Sequence, residues 1–91
     1  MEQQFLQALQ QATQAAAALG ARIRPVDNME QAHRILSGHR ESDGFSHLAR
    51  LGRLDLTIEA LAVQKQFTAL FSDEEANNAL MRLIDAGYHF K

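Results

Sequence analysis

The fold is decided by residues 51–71, which read LGRLDLTIEALAVQKQFTALF. Apolar side chains recur there at steps of three and four residues, the spacing that places them on one face of an α-helix. Two such lines run through the stretch at once: Leu51, Leu54, Ile58 and Leu61, and Leu56, Ala60, Val63, Phe67 and Leu70. A helix that is apolar on two faces must be covered from both sides. The pattern therefore predicts a central buried helix over about residues 55–70, with Asp55 as its N-cap.

Four more helices are predicted around this centre. The first spans about residues 2–19, and Gly20 supplies its left-handed stop. The second spans 28–37 with Asp27 as its N-cap, and a short third helix covers about 44–51. No part of the sequence predicts a paired strand. We therefore expect an all-α fold, a compact bundle of about five helices around the central buried helix, with no sheet.

The last helix carries the clearest end signals in the chain. Ser72 is followed three residues later by Glu75, the spacing of a capping box in which each side chain bonds the other's backbone N–H. Gly87 ends the helix, and Tyr88 can fold back on Leu83, as in the Schellman motif. The apolar spacing predicts that the following residues face the core: Ala76, Leu80, Leu83 and Ile84.

Size and composition predict a single helical domain over residues 1–91. At 10.2 kDa the chain can bury only a modest core, so dimerisation is a natural source of extra stability. It has no Cys, which excludes disulfides and thiolate chemistry and suits a reducing compartment. The segment after Met1 lacks the basic flank and apolar run of a signal peptide. We therefore expect a cytoplasmic protein without membrane contact.

The sequence offers no motif for a cofactor, a metal or catalysis. The four histidines, His33, His39, His47 and His89, show no HxxxH or HExxH spacing. The serines sit in no strand-turn-helix elbow, and the paired carboxylates lie at helix starts, where capping explains them. The glycines are scattered as helix ends and form no phosphate loop. We expect no cofactor, no metal site and no enzymatic activity.

With catalytic, metal-binding and cofactor-binding roles set aside, the sequence favours a binding role. We expect a small protein-binding module that acts as an adaptor, inhibitor or accessory protein. We also expect this module to pair with itself. The first helix has a seam of mostly small side chains that either lies on the core or meets its twin in a homodimer. The candidate self-association residues are Phe5, Leu9, Ala12, Ala16 and Leu19. The middle of the chain is mildly basic, and its candidate partner-binding residues are His39, Arg40, His47, Arg50 and Arg53.

The alternative function rests on a resemblance. Residues 56–62 (LTIEALA) resemble the supporting helix of helix-turn-helix and winged-helix regulators, and residues 80–88 (LMRLIDAGY) resemble the end of their reading helix. The resemblance covers about a third of the chain and implies a DNA-binding transcriptional regulator. Two features depart from that family: a long insert follows Ala62, and the reading helix begins with acidic residues at 73–75, which repel phosphate. Nucleic acid is therefore a possible partner but not the favoured one.

Overall fold

The structure, a computed structural model, describes residues 1–88. Within them lie five α-helices: α1 (Glu2–Ala18), α2 (Met29–Ser37), α3 (Phe45–Arg50), α4 (Ile58–Ala62) and α5 (Asp73–Asp85). Two 3₁₀ turns flank α4, at Leu54–Leu56 and Thr68–Leu70, and this part of the chain contains no strand. The radius of gyration is 11.8 Å, close to the value of about 12 Å for a compact chain of this length. The all-α prediction is confirmed.

The central segment is not one helix over residues 55–70, and it is buried only in part: α4 ends at Ala62, and of residues 63–70 only Phe67 is buried. Every residue from 56 to 62 is buried. Thr57 interrupts the helix with extended backbone angles, φ −85° and ψ 156°. Its hydroxyl accepts the N–H of Ala60 at 3.1 Å and donates to the carbonyl of Leu54 at 2.7 Å. The predicted cap at Asp55 is therefore wrong, because a threonine that serves as N-cap starts a new helix here.

Neighbours cover this segment from opposite sides. α4 packs against both α1 and α5, and the 3₁₀ turn before it contacts α1 and α3. On the α1 side, the ring of Phe5 meets Phe67 and Phe71 edge-on, with centroids 5.2 and 5.1 Å apart. Such edge-to-face pairs are favourable beyond the area they bury. The sandwiched centre that the two apolar lines predict is therefore present over residues 54–62.

The cap of α2 lies one residue later than predicted. The side chain of Asn28, rather than Asp27, accepts the backbone N–H of Gln31 at 2.9 Å. Gln31 in turn accepts the N–H of Asp27 with its side-chain oxygen at 2.9 Å. Both residues are competent caps, and the extended backbone of Asn28 (φ −151°, ψ 169°) decides between them.

Both ends of α5 agree with the prediction, while its buried face agrees with the prediction only at Leu83. The Ser72 and Glu75 capping box is complete. The N–H of Tyr88 donates to the carbonyl of Leu83 at 2.9 Å after Gly87, whose φ is +81°. The buried residues are Glu75, Ala79 and Leu83, and Ile84 is 51% exposed. Relative to the predicted orientation, α5 is turned about its axis, because polar side chains on its inward face find partners inside the molecule.

A candidate binding groove

The predicted self-association seam lies inside the monomer. Phe5, Leu9, Ala12 and Ala16 are buried in the main core, and only Leu19 is exposed, at 43%. A dimer through these four residues would have to open the core that they form. The seam therefore serves as the packing face of α1, the first of the two interpretations that the sequence left open.

The five predicted partner-binding residues do not form one cluster. His39 and Arg40 lie at the start of the loop that links α2 to α3, and they share a shallow depression with His47. Arg50 is exposed on α3. Arg53 donates from Nε and from a terminal nitrogen to the carboxylate of Asp55, at 3.1 and 3.2 Å. This hydrogen bond and the attraction between the charges raise the pKa of Arg53.

A groove of about 610 Å³ opens between α1, α2, the connector that links them and the loop after α2. Its floor is apolar and is formed by Leu9, Ile23, Val26, Ile35 and Ile58. Leu9 and Ile58 belong to the core, while the other three are partly exposed. Ligand-binding clefts in proteins occupy about 300–1,000 Å³ and combine an apolar lining with a few polar groups. The groove has both features.

The rim of the groove is charged. Arg24, Arg34 and Arg40 line it together with Glu41 and Asp43. Arg34 pairs with Glu30 on α2, at 3.3 Å. The guanidinium groups of Arg24 and Arg40 have no carboxylate partner within residues 1–88. Within the same residues the carboxylates of Glu41 and Asp43 have no cation partner either, so the rim carries unpaired charges of both signs.

A buried ion pair fixes one wall of the groove. Glu59 on α4 is 0% exposed, and its carboxylate accepts the backbone N–H of Ser42 at 2.9 Å and the Ser42 hydroxyl at 2.6 Å. Arg82 on α5 donates to the same carboxylate at 3.2 Å. Arg82 also donates to the carbonyls of Ile35 and Gly38, at 3.3 and 2.7 Å. The loop 38–44 is therefore held from the inside by two charged residues.

A second set of contacts ties the connector 21–27 to that loop. The carboxylate of Asp43 accepts the backbone N–H of Arg24 at 2.9 Å. Gly44 follows with a φ of +78°, and a Cβ at this position would lie 2.7 Å from the Cγ1 of Ile23. Only glycine combines this backbone conformation with so close an approach. The two irregular segments therefore stand side by side as neighbouring walls of the groove.

Several backbone groups of these walls remain available. In the structure as described, the N–H groups of Ile23, Val26, His39 and Arg40 have no hydrogen-bond acceptor in the protein. Free main-chain donors of this kind are usually hydrated, and they can pair with the carbonyl groups of another peptide. All four residues line the groove.

Another polar contact between distant elements lies outside the groove. The Nδ1 of His33 is 2.9 Å from the carboxylate of Glu75, and its ring meets Phe71 edge-on. His33 thus joins α2 to the start of α5. Residues 1–88 contain no group of three or more metal-ligating side chains. His89 lies beyond the described residues.

The sequence could not indicate the groove, but it did hold a signal for the ion pair. Glu59 stands between the two apolar lines, in a segment expected to be covered on both sides, so its carboxylate needed an internal partner. Asn78 on α5 also turns inward, where its side-chain amide donates to the carbonyl of Leu36 at 2.9 Å. These polar side chains explain why α5 turns a partly polar face inward.

The resemblance to helix-turn-helix regulators rests on two stretches of sequence, which fall on α4 and α5. Both helices are present, but their connection differs from that of a helix-turn-helix. Ten residues, 63–72, separate α4 from α5, whereas that motif has a turn of about three or four. Asp73 and Glu74 are exposed at the start of α5, where a reading helix meets the phosphates of DNA.

Comparison with family models, with curated proteins and with solved structures finds no significant match to this chain. No helix within residues 1–88 has the length and apolar character needed to cross a membrane.

Proposed function

We propose that this chain is a small non-enzymatic helical module that binds another protein, as an adaptor, inhibitor or accessory protein. The observation that carries the proposal is the groove, with its apolar floor and its rim of charged side chains. Interfaces typically combine an apolar centre with a polar rim. The groove reproduces that combination over two walls that internal hydrogen bonds hold in place.

Affinity capture with chemical cross-linking tests this role. The tagged chain is compared with Ile23→Asn, which makes the groove floor polar, and with Leu51→Asn, a similar change at an exposed position after α3 and outside the groove. We expect a protein that cross-links to the groove walls and is captured by the wild type and by Leu51→Asn, but not by Ile23→Asn. Val26→Asn repeats the test at a second floor position. Equal capture by all variants would refute the proposal.

We further propose that the module acts in the cytoplasm and pairs with itself. The lack of Cys suits a reducing compartment, and a small core gains stability from pairing. A homodimer would use a face other than the α1 seam. Met81 and Ile84 are exposed three residues apart on α5, at 53% and 51%. Light scattering that reads 10.2 kDa at micromolar concentration, rather than twice that mass, would refute self-association.

A further inference from the structure

We propose that the loop 38–44 is a gate, which swings away from the groove while the helices stay folded. This inference rests on the proposed function and adds a motion that regulates the same groove. Residues 38–43 of the loop line the groove. Three features of the loop lead to the inference: its middle has no apolar anchor, a few hydrogen bonds attach it to other elements, and a glycine stands at each end.

No apolar side chain anchors the middle of the loop. Residues 39–43 read HRESD, and all of them except the partly buried Ser42 are exposed. Segments with few buried apolar contacts open locally at a much lower free energy than the core. The flanking helices differ, since Leu36 on α2 and Phe45 on α3 are 0% and 2% exposed. The loop can therefore open while both helices remain packed.

Ser42 is the latch of the gate. Its backbone N–H and its hydroxyl both donate to the buried carboxylate of Glu59, at 2.9 and 2.6 Å. The next residue, Asp43, accepts the backbone N–H of Arg24 at 2.9 Å. Within residues 1–88, the N–H groups of positions 39–41 donate to no protein acceptor. Opening therefore breaks three hydrogen bonds over residues 39–43, and water can replace each of them.

The two glycines place the hinges of the gate. Gly38 follows the last residue of α2, and Gly44 precedes α3 with a φ of +78°. Glycine adopts backbone angles that are closed to other residues, so it can absorb the rotations that a moving loop requires. The carbonyl of Gly38 accepts from Arg82 at 2.7 Å. This bond keeps the first hinge attached to α5 while the residues after it move.

Native-state hydrogen exchange of the full chain tests the gate, followed residue by residue in NMR spectra at rising urea below the unfolding transition. We expect the amide of Ser42 to be about tenfold or more less protected than that of Leu83, which lies on the buried face of α5. Its exchange should not depend on urea, because opening a short loop exposes little surface. If the amide of Ser42 shares the protection and the urea dependence of Leu83, it opens only when the whole molecule unfolds, and the proposal is overturned.

The variant Ser42→Ala tests the latch. It removes the hydroxyl donor to Glu59 and keeps the backbone N–H, whose exchange reports the opening. The amide at position 42 should exchange about tenfold faster, because a hydrogen bond to a charged group is lost. The control is Ser46→Ala, at an exposed serine on α3 whose hydroxyl makes no hydrogen bond within residues 1–88. It should leave that rate within about twofold, and equal effects of the two variants would overturn the proposal.

Thiol labelling tests whether the opening reaches the groove floor. The chain contains no Cys, so Ile58→Cys places a single thiol on a floor residue that is 5% exposed and directly precedes Glu59. Leu83→Cys places one in the core, away from the groove, at a position that is 0% exposed. We expect the thiol of Ile58→Cys to react about tenfold or more faster, at a rate independent of urea. Equal rates would overturn the proposal, because the opening would leave the floor covered.

These measurements use the chain alone and therefore separate the gate from the proposed function. A gate that opens in a chain that captures no partner would leave the inference standing and would refute only the binding role. Capture that depends on Ile23, together with exchange of the Ser42 amide only on global unfolding, would keep the binding role and overturn the gate.

Discussion

Removing the cation of the buried ion pair should destabilise the protein far more than removing an exposed one. The side chains of Arg82 and Glu59 are 10% and 0% exposed. The substitution Arg82→Met keeps the long stem of the side chain but leaves the carboxylate of Glu59 without its counterion. Breaking a buried pair in this way costs about 3–5 kcal/mol, because an uncompensated charge stays in the interior.

The structure sets the expected cost at the lower end of that range. The carboxylate of Glu59 keeps two of its three hydrogen bonds, both from Ser42. The loss should therefore be about 3 kcal/mol, a large part of the total stability of about 5–15 kcal/mol that is typical of a folded domain. Urea denaturation followed by far-ultraviolet circular dichroism measures it, with the free energy of unfolding extrapolated to water.

Two further variants make the reasoning refutable. Arg34→Met removes the same side chain from an exposed pair, in which Arg34 and Glu30 are 75% and 81% exposed, and should cost about 0.5 kcal/mol or less. The double variant Glu59→Gln, Arg82→Met removes both charges and should be at least about 1 kcal/mol more stable than Arg82→Met alone. Equal losses for Arg82→Met and Arg34→Met, or no recovery in the double variant, would refute the account of the ion pair.

Three other substitutions test the local structure. Ser72→Ala should lower the free energy of unfolding by about 1 kcal/mol and the melting temperature by about 4–8 °C; an unchanged melt, or complete loss of fold, would contradict this account of the cap. Thr57→Val should cost about 1–2 kcal/mol in urea denaturation because it leaves a buried N–H without its acceptor, while Asp55→Ala should cost much less, because it removes only an exposed ion pair with Arg53; the reverse order would restore Asp55 as the cap. Gly44→Ala and Gly87→Ala both introduce a Cβ at positive φ, at a cost of about 1–2 kcal/mol. Only at position 44 does the new Cβ also approach the side chain of Ile23, so Gly44→Ala should lower the free energy of unfolding more than Gly87→Ala. Equal losses of stability would show that this contact relaxes freely.

The sequence predicted those elements whose signals are local. The ends of α5 follow from Ser72, Glu75 and Gly87, and the observed contacts match them. The burial of residues 56–62 follows from two apolar lines that no exposed helix could carry. The predicted start of that helix was wrong because the hydroxyl of Thr57 competes for backbone groups, and periodicity does not contain this local chemistry. The predicted end was wrong as well, since α4 stops at Ala62.

The groove lay beyond sequence reasoning because its parts are remote in the chain. Its floor brings Leu9 together with Ile35 and Ile58, and its walls come from two segments without helical or strand periodicity. Of the residues expected to contact a partner, His39 and Arg40 line the groove, while Arg24 was missed. Its exposure at the rim depends on the contact between its backbone and Asp43, a residue 19 positions away.

The central claim is that the connector 21–27 and the loop 38–44 form one binding surface. The isotope-labelled chain is titrated with the captured partner protein, and the backbone amide signals are followed by NMR; this tests that claim most directly. The account predicts that the signals of Ile23, Val26 and Arg40 shift together and saturate at the same partner concentration, while those of Met81 and Ile84 stay in place. Shifts confined to the outer face of α5, or shifts in only one of the two segments, would contradict it.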